Sequence, residues 1–202
     1  MTDHPRVALV TGATSGIGLA IAQRLTQAGY RVALHSRASS TAGLQAAATL
    51  TGARYFQADL LEDSERRDLI NQVYAHYDRL DVLVNNAGES SVIPHDDLLA
   101  ATLNLWHRLY ELHVVAPWQF IALSETYLRA ASTAEHPASV LNISSHAGVR
   151  PKGGFHTLRR QQGRIDSSHA PARQNPGTRY PGERYRTGAG GYAADRRLGS
   201  HS

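Results

Sequence analysis

The stretch Val7-Ala8-Leu9-Val10-Thr11-Gly12-Ala13-Thr14-Ser15-Gly16-Ile17-Gly18 constrains the fold of this chain more than any other. Its four leading apolar residues predict a strand. Gly12, Gly16 and Gly18 then predict a turn, and Leu19, Ile21, Ala22 and Leu25 form the apolar stripe of a helix that follows it. Glycines in the turn remove the Cβ atoms that would keep a ligand off the backbone. The helix presents unpaired N–H groups and the positive end of its dipole to the same place, which favours a pyrophosphate. Glycine spacing by itself marks only a turn; a strand before it and a helix after it make it a dinucleotide cradle.

The chain continues with the same alternation. Gly29 ends the first helix, and Arg31 to His35 form a second strand followed by Ser36-Arg37. An acidic residue at that strand end would take the ribose 2′-hydroxyl of NAD. Arg37 suits a 2′-phosphate instead, which favours NADP over NAD; the competing reading is a solvated loop arginine. A helix closing over Ala46 to Leu50 leads to a third strand, Arg54 to Ala58, ending in Asp59-Leu60. Asp59 there sits at the ligand edge of an open sheet, caps a helix running from Leu61 to Tyr77, or does both. Asp81 to Asn85 is a fourth strand running into Asn86-Ala87-Gly88, small residues that admit a cofactor and also suit an ordinary turn. Leu98 to Ala131 reads as a long helical region in which Pro117 predicts a kink or two helices meeting. Val140 to Ser144 is a fifth strand, followed by Ser145. Strands alternating with helices predict an α/β fold, a Rossmann-like doubly wound parallel sheet with right-handed crossovers.

Composition narrows the function classes. With no cysteine among 202 residues there is no disulfide framework and no thiolate nucleophile. The histidines lack metal-ligand spacing and no Gly-x-Ser-x-Gly elbow occurs, which argues against metallohydrolases and serine hydrolases. No apolar run approaches membrane-spanning length and no leader pattern precedes the first strand, so a cytoplasmic protein without a membrane partner is expected. The net charge of +4 is unevenly placed: residues 1–150 carry 11 Arg against 14 acidic residues, residues 151–202 carry 9 Arg and 1 Lys against 3. The basic tail shows neither a helical period nor a recognition pattern, so a nucleic-acid partner is not expected.

Thr11 to Gly18, Asp59-Leu60, Asn85-Asn86-Ala87-Gly88 and Asn142-Ile143-Ser144-Ser145 occur in an order and spacing that resemble the short-chain dehydrogenase/reductase family over residues 5 to 155. The resemblance implies hydride transfer between NAD(P) and a small carbonyl or alcohol substrate. It also implies that Gly12, Gly16 and Gly18 hold the pyrophosphate, that Asp59 meets the adenine, that Asn86 and Gly88 line the cofactor pocket, and that Thr14, Ser15, Ile17, Leu60 and Ala87 belong to the cofactor-binding set with them. Ser145 would polarise the substrate carbonyl. His113 stands where most members carry an asparagine, as in some pteridine reductases; a histidine satisfied within its helix is the alternative.

Members of that family donate a proton from a tyrosine about thirteen residues beyond the serine, its phenol tuned by a lysine four residues later. Here those positions hold Leu158 and Gln162, and the only lysine is Lys152. Codons for Leu158 to Gly163 joined one base out of register permit Tyr-Ala-Ala-Ser-Lys, with the tyrosine at position 158, and the shifted reading continues to resemble the family's next helix and strand. Residues 156–202 are therefore expected to be an out-of-frame tail on a dinucleotide-binding domain of residues 1–155. From His156 onward the only large aliphatic residues are Leu158, Ile165 and Leu198, too few to offset chain entropy, which predicts disorder. A family-specific extension is the alternative. Catalysis is expected to be impaired, and a catalytically inactive dinucleotide-binding module or a non-functional product remains as a further reading. The helix that follows the tyrosine pairs subunits in the family, so its loss predicts no such oligomer.

Overall fold

The computed structural model of the chain describes residues 4–37, 40–93 and 97–145. The expectations for the tail, including Leu158, Gln162 and residues 156–202, lie outside the described residues. Within them the order is β1 (Val7–Val10), α1 (Gly16–Gln27), β2 (Arg31–Ser36), α2 (Ser40–Ala48), β3 (Arg54–Gln57), α3 (Asp63–Tyr77), β4 (Val82–Asn85), α4 (Leu103–Tyr110), α5 (Ala116–Ala131) and β5 (Ser139–Asn142). The strands form one parallel sheet in the order β3-β2-β1-β4-β5. Sequence order reverses direction at β1, so the crevice beside its carboxyl end is the switch point where open α/β sheets take ligands.

The alternation of side chains along the central strands sorts the core into two layers. Val7 and Leu9 of β1, Ala33 of β2 and Leu83 of β4 pack beneath α3 and α5, against Leu69, Ile70, Val73, Ala116 and Phe120. Val10, Val32, Leu34 and Val84 point the other way, onto Ala22 of α1 and Ala47 of α2. Every residue of β1 is at most 1% exposed, as a strand covered on both faces requires.

Several boundaries differ from the sequence reading for identifiable reasons. Leu61 N–H donates to Asp59 Oδ1 at 3.0 Å, which closes a turn at Asp59-Leu60-Leu61 and delays α3 until Asp63. Asp59 therefore caps the turn before the helix and not the helix itself. Asp81 precedes β4, its carboxylate accepting from Val7 N–H at 2.8 Å and pairing with Arg79 at 2.6 Å. The long helical region is broken into a 3-10 turn over Leu98–Ala100, α4, a π-helical turn over Glu111–Val115, and α5. Pro117 lies in the first turn of α5, directly behind that wider turn. The two-helix expectation from Pro117 holds, with the π-turn as the joint.

A buried arginine organises this joint. Arg66 of α3, 2% exposed, donates to Leu60 O beyond β3 and to Gln119 Oε1 of α5, and pairs with Glu111 of the π-turn at 2.8 Å.

Candidate functional site

The turn after β1 is drawn tight against the end of β4 by side chains that hydrogen-bond to backbone. Thr11 Oγ1 accepts from Asn86 N–H at 3.0 Å and Ala87 N–H at 2.9 Å, and donates to Val84 O at 3.3 Å. The Asn86 amide donates to Thr11 O at 2.9 Å and to Gly12 O at 3.1 Å. Such closeness needs glycine: a Cβ on Gly12 would lie 2.9 Å from Ala87 Cα, and one on Gly18 would lie 2.2 Å from Gly12 O. Gly16 differs, for a Cβ there would meet nothing within 4 Å, yet its φ of +54° lies in the left-handed region. Gly16 thus shapes the turn while leaving open space in front of it, at the start of α1. Ser15, at the N-cap, accepts no side-chain cap bond, so its hydroxyl is not committed to the helix.

His35 braces this turn from beneath. It is 1% exposed, accepts from Gly12 N–H through Nδ1 at 3.4 Å and meets Ala58 O through Nε2 at 3.0 Å. That pairing requires the neutral imidazole with its proton on Nε2. Burial pushes its pKa down to about 4, against smaller raising contributions from Ala58 and Asp59.

Above the carboxyl ends of the strands lies a cleft of about 200 Å³. Its walls are Gly12, the β2 end with His35, Ser36 and Arg37, then Asp59 and Leu60 after β3, Ala87, Gly88 and Glu89 after β4, and Leu112 from the π-turn. Gln57 holds the Arg37 carbonyl at 3.2 Å, setting the exposed arginine at the rim. Glu89 forms a paired contact with Arg108 of α4, which holds its carboxyl below the usual range; burial opposes this.

The cleft thus gathers Gly12, Arg37, Asp59, Leu60, Ala87 and Gly88 from the sequence prediction. Thr14, Ser15, Gly16 and Ile17 form the turn and first helical residues beside it, with Ile17 64% exposed. Gly18 and Asn86 support the turn from behind: a Cβ on Gly18 would meet its backbone, and the Asn86 amide bonds to it. His113 also faces backbone, its Nε2 2.8 Å from Glu89 O and its ring against Gly88, and burial holds its pKa below the ordinary value. Ser145 follows β5 and is half-buried. The carboxyl ends of β4 and β5 are joined by Asn85 Nδ2 donating to Asn142 Oδ1 at 2.7 Å. His35, Glu89 and Arg108 were missed in the sequence. His35 reads there as one more strand residue, and the partners of Glu89 lie 19 and 52 positions away. Among the described residues no group of three histidine or acidic side chains could hold a metal, and no helix is long and apolar enough to cross a membrane.

A parallel sheet with a glycine turn at its switch point, an open helix start and a cleft over the strand ends defines a Rossmann-like dinucleotide-binding protein. The residues present fit such a ligand: the left-handed Gly12 and Gly16 and the open space before α1 leave room for a pyrophosphate against the backbone. The short chain dehydrogenase family model matches residues 6–157, and the chain belongs to that family. It is 46% identical over 154 residues to the "Granaticin polyketide synthase putative ketoacyl reductase 2" of Streptomyces violaceoruber, a match covering 75% of this chain and 60% of that protein. It is 36% identical to the rhamnolipids biosynthesis 3-oxoacyl-(acyl-carrier-protein) reductase of Pseudomonas aeruginosa, over 73% of this chain and 57% of that protein. Among solved structures it resembles the Pseudomonas aeruginosa RhlG/NADP active-site complex with a TM-score of 0.74 and 31% identity, covering 80% of this chain and 63% of the other. The chain spans about 60% of the length of the curated relatives it matches.

Proposed function

We propose that this chain is the cofactor-binding part of an NADP-linked reductase for 3-oxoacyl-type carbonyl substrates, with turnover impaired because Leu158 and Gln162 replace the proton-donating pair. Arg37 at the rim of the cleft carries the reading: a cation stands at the end of β2, where an acidic side chain would suit NAD. The relatives support the substrate class, since two of them bear ketoacyl or 3-oxoacyl reductase names.

In this reading Gly12, Gly16 and the first turn of α1, with Thr14, Ser15 and Ile17, hold the pyrophosphate, and Gly18 and Asn86 keep that turn in place. Asp59 and Leu60 face the adenine, Ala87 and Gly88 the adjoining ribose, and Arg37 the 2′-phosphate. The bound cofactor supplies a hydride. The Ser145 hydroxyl donates a hydrogen bond to the substrate carbonyl oxygen, while His113 holds Glu89 and Gly88 in register and takes no part in proton transfer. No tyrosine at 158 delivers the proton, and no lysine at 162 tunes one or grips the ribose.

Calorimetric titration with NADP and NAD, followed by assay of NADPH consumption with a 3-oxoacyl thioester, tests the proposal. NADP is expected to bind more tightly than NAD, with turnover about 10²–10⁴-fold below family members that keep the pair. Turnover equal to theirs overturns the impairment, and tighter binding of NAD overturns the cofactor reading. Leu158 and Gln162 also favour a second reading, a dinucleotide-binding module without catalysis, which binding with no consumption at all would select. The nucleotide sequence across codons 150–160 tests the out-of-frame origin of the tail, which the end of the family match at residue 157 supports.

A further inference from the structure

We propose that Glu89 sets how strongly the cleft discriminates a 2′-phosphorylated dinucleotide from its unphosphorylated counterpart, by engaging the Arg37 guanidinium that the phosphate needs, with Arg108 fixing the carboxylate in position. The inference rests on the NADP reading of Arg37 and deepens it.

Glu89 and Arg37 stand on opposite walls of the cleft, one following β4 and the other following β2. A single carboxylate oxygen faces two cations: Glu89 Oε2 lies 2.8 Å from Arg108 Nη2 and 3.9 Å from Arg37 Nη2. The other oxygen takes Arg108 Nε at 2.5 Å, so the pair with Arg108 is bidentate and fixes the plane of the carboxylate. The backbone beneath is fixed as well, through His113 on the Glu89 carbonyl. Glu89 is therefore a placed charge, whereas Arg37, its side chain 53% exposed, reaches over from the rim and makes the longer contact.

This asymmetry determines what a ligand meets. A 2′-phosphate binds Arg37 only by drawing it from Glu89, whose carboxylate Arg108 keeps from following. A 2′-hydroxyl carries no charge and makes no such demand on Arg37. Glu89 thus weakens binding of the phosphorylated ligand selectively, and through Arg37.

The experiment compares NADP and NAD dissociation constants, by calorimetry on the full chain, for the wild type, Glu89→Gln, Arg37→Ala and the double variant. Glu89→Gln retains the shape and an acceptor for Arg108 while removing the charge; Glu89→Ala is measured beside it. NADP affinity is expected to rise about fivefold in Glu89→Gln, the scale of one charge pair about 4 Å apart at a wet rim, with NAD affinity nearly unchanged. Glu89→Ala is expected to move the ratio the same way. Arg37→Ala is expected to remove most of the preference for NADP, and adding Glu89→Gln to it to restore little. If Arg37→Ala lowers the ratio but neither Glu89 variant raises it, this inference falls and the NADP reading stands. If the gain from Glu89→Gln persists without Arg37, Glu89 does not act through that arginine and the inference is again overturned. If Arg37→Ala leaves the ratio unchanged, or the wild type binds neither dinucleotide, both fall.

Discussion

The turn after β1 and the π-turn joint between α4 and α5, which Arg66 ties to α3, are both tightly held, but by different chemistry. Around the turn the partners are neutral: the Thr11 hydroxyl, the Asn86 amide and the uncharged His35 ring, each bonded to backbone. Around the joint they are charged, with Arg66 in contact with Glu111 and 3.8 Å from Asp63 while also bonded to Gln119 and Leu60 O. A neutral cradle adds no fixed charge where an anion is to be received, so the dipole of α1 is left uncompensated there. At the joint an ion network serves because the buried Arg66 nitrogens each find a partner.

The largest stability effect is expected where the neutral cradle is tightest. A Cβ at residue 18 would lie 2.2 Å from Gly12 O and 2.5 Å from the Asn86 amide nitrogen, and the first obstacle is backbone. Gly18→Ala is therefore expected to cost about 3 kcal/mol in urea denaturation. A loss below about 1 kcal/mol would show that the turn yields more easily than its hydrogen bonds imply. Arg66→Met comes next, with an expected cost of about 2–3 kcal/mol, because Leu60 O and the Gln119 amide lose their donor and Glu111 its counter-ion. Adding Glu111→Gln is expected to recover part of that loss; no recovery would mean that packing, not charge, holds the joint.

The same contrast explains what was legible in the sequence. The cradle is local: Val7 to Gly18 are contiguous, and each glycine answers to a requirement of the turn itself, so the strand, turn and helix follow directly from the pattern. The five strands and their parallel sense were legible for the same reason, as apolar runs alternating with helical stripes. The joint is assembled from residues far apart in the chain. Arg66 and Gln119 are 53 positions apart, and on α3 the arginine looks like one of several charges on a solvated face. His35 escaped in the same way, because its partners, Gly12 and Ala58, each lie 23 positions off. The hold of Asn86 on the turn was not legible either, since a strand-end asparagine does not reveal which way its amide faces.

His35 gives the comparison a pH dependence. Its pKa in the folded protein, about 4, lies below the ordinary 6.5, so as pH falls the unfolded chain takes up the proton first. Stability from the neutral ring is thus fully present above pH 6.5 and is lost as pH falls toward 4. By pH 5 the loss is expected to be about 2 kcal/mol. His113 and His76 shift in the same direction, so the test is the difference in urea stability between wild type and His35→Gln at several pH values. If the two fall in parallel between pH 7 and about 5, His35 is not the group that titrates and the cradle is not braced by a neutral imidazole.

The smallest stability effect is expected at Gly16, and it separates architecture from ligand binding most cleanly. No atom lies within 4 Å of a Cβ placed there, so Gly16→Ala meets only the left-handed backbone, at a cost of about 1 kcal/mol. The added methyl group would, however, stand in the open space ahead of α1, against which a pyrophosphate must close. Gly18→Ala and Gly16→Ala thus make a matched pair, two residues apart: the first strikes the protein's own backbone, the second strikes only what is bound. Calorimetric affinity for NADP is expected to fall at least about tenfold in Gly16→Ala, while urea denaturation moves little. Unchanged affinity in a well-folded Gly16→Ala protein would put the pyrophosphate somewhere other than this turn, and the glycines would then be serving the packing of α1 against the sheet alone.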